Sequence, residues 1–283
     1  MGQNRKTAER NLKLETTYEM FCEELLRTGG YKTDPARAAA KPHKPSRLAT
    51  VRFGWSTFRV FPKVAVLEAR KKLDQNVWAK ICFGCIATCE KLGGRVEIDG
   101  FDARRDYGKP VVYVANHMST LETILLPAVL VQFGQLNIVV KASLSHLPFL
   151  EKSAAHMGLL PVTRTDPRKD LMTMFNDGVA RIKAGGSFLV FPQGTRQSGW
   201  NEKKFSSIGA KVAEKAGVPI VPIAVKTDML PTREKGMFKD FGTVDPAKTV
   251  KVAAGPVLEG SAREMHAKSV AWIGGKLKEW GMA

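Results

Sequence analysis

Val111-Val112-Tyr113-Val114-Ala115-Asn116-His117-Met118-Ser119-Thr120-Leu121-Glu122 passes from five apolar residues into a polar turn with no spacer between them. A short unbroken apolar run reads as a buried strand. Ser119-x-x-Glu122 then has the form of a capping box, with Ser119 as N-cap and Glu122 at the third helical position, so a helix begins at once. A histidine is thereby placed where a buried strand emerges at the edge of the sheet, the position at which open α/β sheets hold their ligands. His117 and Glu122 stand five residues apart, which on a continuous helix separates them by roughly 140°. They meet only if His117 lies in the loop ahead of the helix. Glu122 then has two readings, a cap for the helix terminus or an orienting partner for the imidazole, and the two are compatible.

Working outward, short apolar runs alternate with helix-like segments after Gly94. Strands are expected at 95–98, 111–115, 137–141, 159–162, 187–191, 220–225 and 249–253, and helices near 121–133, 168–184, 206–216 and 262–280. This alternation predicts α/β architecture. Ahead of it, residues 1–94 read as a basic N-terminal extension and membrane-associating helical segment, and 95–283 as the catalytic domain. Leu12, Tyr18, Cys22, Leu25 and Leu26 make an irregular helical stripe. From Val51 to Lys63 aromatic and basic residues interleave, a composition suited either to the headgroup boundary of a bilayer or to a partly buried strand or hairpin. One helix is expected from about Val64 to Leu92, ended by Gly93-Gly94. Cys82, Cys85 and Cys89 fall near one of its faces, as packing residues rather than metal ligands.

The chain has 283 residues, of which 44% are apolar, enough to bury one sizeable core. Lys and Arg number 44 against 27 Asp and Glu, a formal net charge of +17. Such a surplus draws anionic partners: nucleic acid, acidic lipid or phosphorylated small molecules. No helix-turn-helix, zinc-finger or RNA-recognition signature accompanies it, so no nucleic acid is expected. The first residues lack a secretory apolar run, and no stretch reaches the roughly 18 apolar residues of a membrane span. The expectation is a peripheral protein on the cytoplasmic face of the membrane, with an anionic membrane surface among its partners.

Phe191-Pro192-Gln193-Gly194-Thr195-Arg196 also follows an apolar strand, and delivers a flexible turn and a guanidinium to the sheet edge. Gly158-Leu159-Leu160-Pro161-Val162-Thr163-Arg164 delivers a second arginine in the same way. Arginine matches phosphate through paired, charge-assisted hydrogen bonds. An imidazole, ordinarily near pKa 6.5, accepts protons at neutral pH, and an adjoining carboxylate fixes its tautomer. Together these make a phosphate-plus-base site, although each arginine alone reads more readily as a solvated turn residue. No metal is expected, and the Gly-x-Ser-x-Gly elbow of a serine hydrolase is missing.

In this order the motifs resemble the glycerol-3-phosphate and 1-acylglycerol-3-phosphate (lysophosphatidic acid) acyltransferase family, PlsC-like, with its NHxSxxD, GxxFIxR, FPEGTR and VPIVPV-like blocks. Here these are Asn116 to Glu122, Gly158 to Arg164, Phe191 to Arg196 and Val218 to Val225. Glu122 stands where the family usually has Asp, Gln193 where it has Glu, and Pro161 where it has Phe. The resemblance implies an α/β fold with a mixed, mostly parallel sheet of about seven strands flanked by helices, and an N-terminal helical segment resting on the membrane. It implies that His117 is the catalytic base and Glu122 its partner. It implies that Arg164 and Arg196, with Gln193, Gly194 and Thr195, serve the acceptor. It also implies transfer of a fatty acyl group from acyl-CoA or acyl carrier protein, as co-substrate with no bound cofactor, to a lysophospholipid acceptor. Backbone N–H groups near Gly194 and Thr195 are candidates for the oxyanion. Two alternatives stay open: an acyltransferase for a non-phosphate lyso-lipid, and an inactive basic membrane-binding protein of the same fold.

Overall fold

In the computed structural model, residues 16–35, 44–145, 151–163, 165–232 and 242–282 are described. All seven expected strands form: β2 (Val96–Asp99), β3 (Val112–Ala115), β4 (Leu136–Lys141), β5 (Leu159–Val162), β6 (Ser187–Val190), β7 (Ile220–Lys226) and β8 (Val250–Ala254). A two-residue β1 (Tyr31–Lys32) makes the sheet eight-stranded among the described residues, in the order β1-β2-β8-β7-β3-β6-β4-β5. The β1–β2 and β7–β8 pairs are antiparallel and the other pairs parallel. β3 is central, between β7 and β6. Its alternation shows why it reads as uniformly apolar: Tyr113 and Ala115 join the core on one face, Val112 and Val114 the core on the other. β5 is an edge strand, which explains how Pro161 is accommodated within it.

Helices cover both faces. Ile208–Ala216 approaches β3 so closely that a Cβ at Gly209 would lie 2.5 Å from a Val114 methyl. The segment expected as one helix over 168–184 runs as Pro167–Thr173, a wider π-type turn at Met174–Gly178 and Val179–Lys183. That turn seats Gly178 against Phe188, whose ring would lie 3.0 Å from an added Cβ.

The N-terminal expectations need correction. Val51–Lys63 forms neither strand nor hairpin, because helices span Arg47–Phe58 and Val60–Ala69. Ser46 starts the first by accepting the Ala49 N–H at 3.0 Å, and Ala49, Phe53 and Thr57 line its inner face at i, i+4 spacing. The single helix expected from Val64 to Leu92 is broken. Lys71 adopts φ 54, and Asp74 caps a new helix, Gln75–Lys91, by accepting the Val77 N–H at 2.8 Å. Cys82, Cys85 and Cys89 are buried on that helix, and no metal-holding cluster occurs among the described residues. Helix Tyr18–Thr28 accounts for the early stripe, apart from Leu12, which lies outside the described residues. No helix among the described residues is long and apolar enough to cross a membrane.

Candidate active site

The loop between β3 and helix Leu121–Leu130 is fastened to the neighbouring strand before the chemistry begins. Asn116 pairs its side chain with the Val225 backbone in both directions, at 2.7 and 2.9 Å, and so extends the β3–β7 ladder by one pseudo-peptide. The His117 backbone is gripped from the other neighbour: its N–H donates to Gln193 Oε1 at 2.6 Å, and its carbonyl accepts from Gln197 N–H at 2.8 Å. The imidazole stacks on Phe191 with ring centroids 4.4 Å apart. His117 and Glu122 are both buried.

The carboxylate lies against the imidazole, with His117 Nδ1 and Glu122 Oε1 2.9 Å apart. Oε1 also accepts the N–H groups of Met118 and Ser119 at 2.6 and 2.7 Å. Oε2 accepts from Ser119 N–H and Ser119 Oγ, each at 3.0 Å, and from Thr227 Oγ at 2.6 Å. Glu122 therefore caps the loop and faces the imidazole with the same group. The helix starts one residue later than the capping box implies, and Ser119 Oγ accepts the Leu121 N–H at 3.0 Å.

Burial works to raise the Glu122 pKa, but the hydrogen bond and charge of His117, the Thr227 hydroxyl and the backbone donors outweigh it. The net effect holds the carboxyl below its ordinary value. An ionised carboxylate can only accept, so in the neutral ring Nδ1 carries the proton toward it and Nε2 holds the lone pair.

Arg196 sits half-buried in the segment 193–197 that grips His117 at both ends, with Gly194 and Thr195 exposed beside it. The Gly194 N–H is not a free oxyanion donor: it closes a turn on Phe191 O at 3.0 Å, with Gly194 at φ 70. Arg164 lies outside the described residues; the strand that precedes it, β5, is three positions from β3. Sequence reasoning missed Thr227 and the stacking of Phe191. A polar residue just past β7 was the available signal for Thr227, since β7 neighbours β3.

Residues 95–226 match the model of the family described as Acyltransferase. The chain is 26% identical over 239 residues to the 1-acyl-sn-glycerol-3-phosphate acyltransferase of Pseudomonas aeruginosa, covering 82% of this chain and 88% of that protein. It is 28% identical over 180 residues to the chloroplastic 1-acyl-sn-glycerol-3-phosphate acyltransferase LPAT1 of Arabidopsis thaliana, covering 62% of this chain but only 49% of that longer protein. The crystal structure of the 1-acyl-sn-glycerophosphate (LPA) acyltransferase PlsC from Thermotoga maritima superposes with a TM-score of 0.56 at 17% identity, covering 83% of this chain and 96% of that one, a likeness of fold. Residues 95–226 thus match the Acyltransferase family model, and the chain resembles 1-acyl-sn-glycerol-3-phosphate acyltransferases of the PlsC-like group.

Proposed function

We propose that the enzyme esterifies the free hydroxyl of 1-acylglycerol-3-phosphate with a fatty acyl group from an acyl thioester, using His117 as general base. The observation that carries this reading is the 2.9 Å contact between His117 Nδ1 and a buried Glu122 surrounded by hydrogen-bond donors. In the proposed step, Nε2 takes the proton of the acceptor hydroxyl as its oxygen attacks the thioester carbonyl. Glu122 steadies the imidazolium that forms, and the tetrahedral intermediate expels the thiolate, which takes the proton back. Arg196 and the neighbouring Gln193, Gly194 and Thr195 are proposed to receive the acceptor's phosphate, with Arg164 joining them on the strength of the motif. Coenzyme A and acyl carrier protein are both proposed donors.

Thiol release from acyl-CoA and from acyl carrier protein, with a panel of lyso-lipid acceptors and products identified by mass, tests this. The expected result is release that depends on 1-acylglycerol-3-phosphate and yields the diacyl phosphate. Product only from a phosphate-free lyso-lipid would reassign the acceptor, and silence across the panel from folded, vesicle-bound protein would favour a binding role.

A peripheral membrane position is part of the proposal. Helix Arg47–Phe58 turns Leu48, Val51, Trp55 and Phe58 outward, 59%, 66%, 68% and 52% exposed, at helical spacing on one side. Arg47, Arg52, Arg59 and Lys63 are exposed around them. Apolar side chains ringed by cations suit an anionic bilayer surface. Full burial of such a side chain contributes about 1.5–3 kcal/mol. Replacing Val51 and Trp55 together with serine is expected to weaken binding to anionic vesicles by roughly tenfold or more. Sedimentation with vesicles measures it; unchanged binding would place the membrane contact elsewhere.

A further inference from the structure

We infer that Thr227 is a positioning residue for acyl transfer, its hydroxyl and that of Ser119 orienting the Glu122 carboxylate toward His117. The inference deepens the proposed role of His117 and rests on it.

The two carboxylate oxygens divide their partners unequally. Among the described residues, Oε1 is met by its own loop alone: His117 Nδ1, Met118 N–H and Ser119 N–H. Oε2 is met by Ser119 from that loop, and by Thr227 from 105 residues further along the chain. Thr227 is thus the link, among the described hydrogen bonds, between this carboxylate and the end of β7. It is well suited to serve as a fixed point. Thr227 is fully buried, its N–H lies 3.3 Å from Met118 Sδ, and the Asn116–Val225 pairing locks the strand two residues before it.

Proton bookkeeping gives the direction of the network. Ser119 Oγ lies 2.9 Å from Thr227 Oγ and 3.0 Å from Oε2, so its one proton serves either acceptor. Thr227 directs its own proton to Oε2 at 2.6 Å, the shorter of these hydroxyl contacts. A glutamate side chain has one more rotatable bond than an aspartate, and its head group swings unless both oxygens are held. Oε1 alone moves with the loop that carries His117; Oε2, tied to β7, refers that loop to the rigid sheet. Catalytic groups must be held within about 0.5 Å of the productive geometry, and the Thr227 bond ties the carboxylate itself, beyond its own loop, to the end of β7.

Among the described residues, His117 is the titratable group hydrogen-bonded to Glu122. Lys226 and Asp228, which flank Thr227, pair with each other at 2.8 Å, and Lys248 adds to Asp228 at 3.2 Å.

The test compares Thr227→Val, Thr227→Ala, Thr227→Ser and His117→Ala, with kcat, KM and the pH profile measured on protein shown to be folded by circular dichroism. A hydrogen bond to a charged group is worth enough for loss of the hydroxyl in the Val variant to lower kcat by roughly tenfold to a hundredfold. Both KM values should stay near those of the unaltered enzyme, and the acid limb of the kcat profile should move upward, because a donor that stabilises the ionised carboxylate is gone. Thr227→Ser should restore both. If the Val variant fails to fold, the Ser and Ala variants carry the same comparison. Altered stability with kcat and pH profile unchanged in the hydroxyl-free variants would overturn the inference, provided His117→Ala is inactive. An active His117→Ala would instead remove the catalytic reading on which it stands.

Discussion

Replacing His117 with alanine is expected to lower acyl transfer by about a thousandfold or more, into the background of spontaneous thioester hydrolysis, while leaving a folded protein. General base catalysis typically contributes 10²–10⁴-fold, and the proposed mechanism has no second base to substitute. The fold should survive, because the strongest ties at this position are made by the backbone. The His117 N–H to Gln193 bond and the Gln197 N–H to His117 carbonyl bond do not need the imidazole. Glu122 would lose one donor and keep the Met118, Ser119 and Thr227 contacts. What is removed is the ring stacked on Phe191 and the proton acceptor. Acceptor-dependent thiol release, with circular dichroism on the same preparation, measures the effect. Residual activity above a tenth of the unaltered rate would rule out His117 as the base.

Glu122→Gln should lower kcat by roughly a hundredfold or more, through the loss of charge rather than of shape. The backbone N–H groups of Met118 and Ser119 demand an acceptor at Oε1, where Ser119 N–H makes its shorter contact of 2.7 Å against 3.0 Å to Oε2, whereas the hydroxyls of Ser119 and Thr227 can rotate to meet an amide at the other position. The Gln variant can therefore keep the imidazole in its orientation yet cannot stabilise the imidazolium. Stability should change with a definite sign. The Glu122 carboxyl is depressed in the folded chain, so its contribution is fully present above the ordinary glutamate value of about 4.3 and is lost as pH falls through the lower folded value. The stability advantage of the unaltered enzyme over Glu122→Gln should then shrink as the solution is acidified through that window. Denaturant melts at neutral and acid pH measure the difference; a gap that stays constant or widens on acidification would contradict the assignment.

The sheet was legible because its strands are buried on both faces, so that runs such as Val111–Ala115 and Ile220–Val225 carry their own signal. Helix boundaries were less so. The break between Ala69 and Gln75 depends on one left-handed residue, Lys71, and on a cap at Asp74, within a stretch over 70–76 that is polar apart from Leu73. The π-type turn at Met174–Gly178 brings Gly178 against the Phe188 ring, a tertiary contact with no local signature. At the site, the proximity of His117 and Glu122 followed from their placement on either side of a helix start. Thr227 could not be read in the same way, because its contact with Glu122 spans 105 residues and arises only when β7 is laid beside β3. The Gly194 N–H was misjudged for the opposite reason: the flexible turn that seemed to free it uses it internally, to close on Phe191.

Nitrogen-15 resonances of the histidine rings, with the His117 signals identified by their loss in His117→Ala, test the central claim most directly. The account requires that, in its neutral form, His117 carry its proton on Nδ1, bonded to Glu122, and leave Nε2 bare to receive the proton of the acceptor hydroxyl. Glu122→Gln should weaken that Nδ1–H signal's hydrogen bond while leaving the ring in place. A neutral ring protonated on Nε2 would mean that the atom assigned to take the proton already holds one, and the mechanism built on His117 and Glu122 would have to be abandoned.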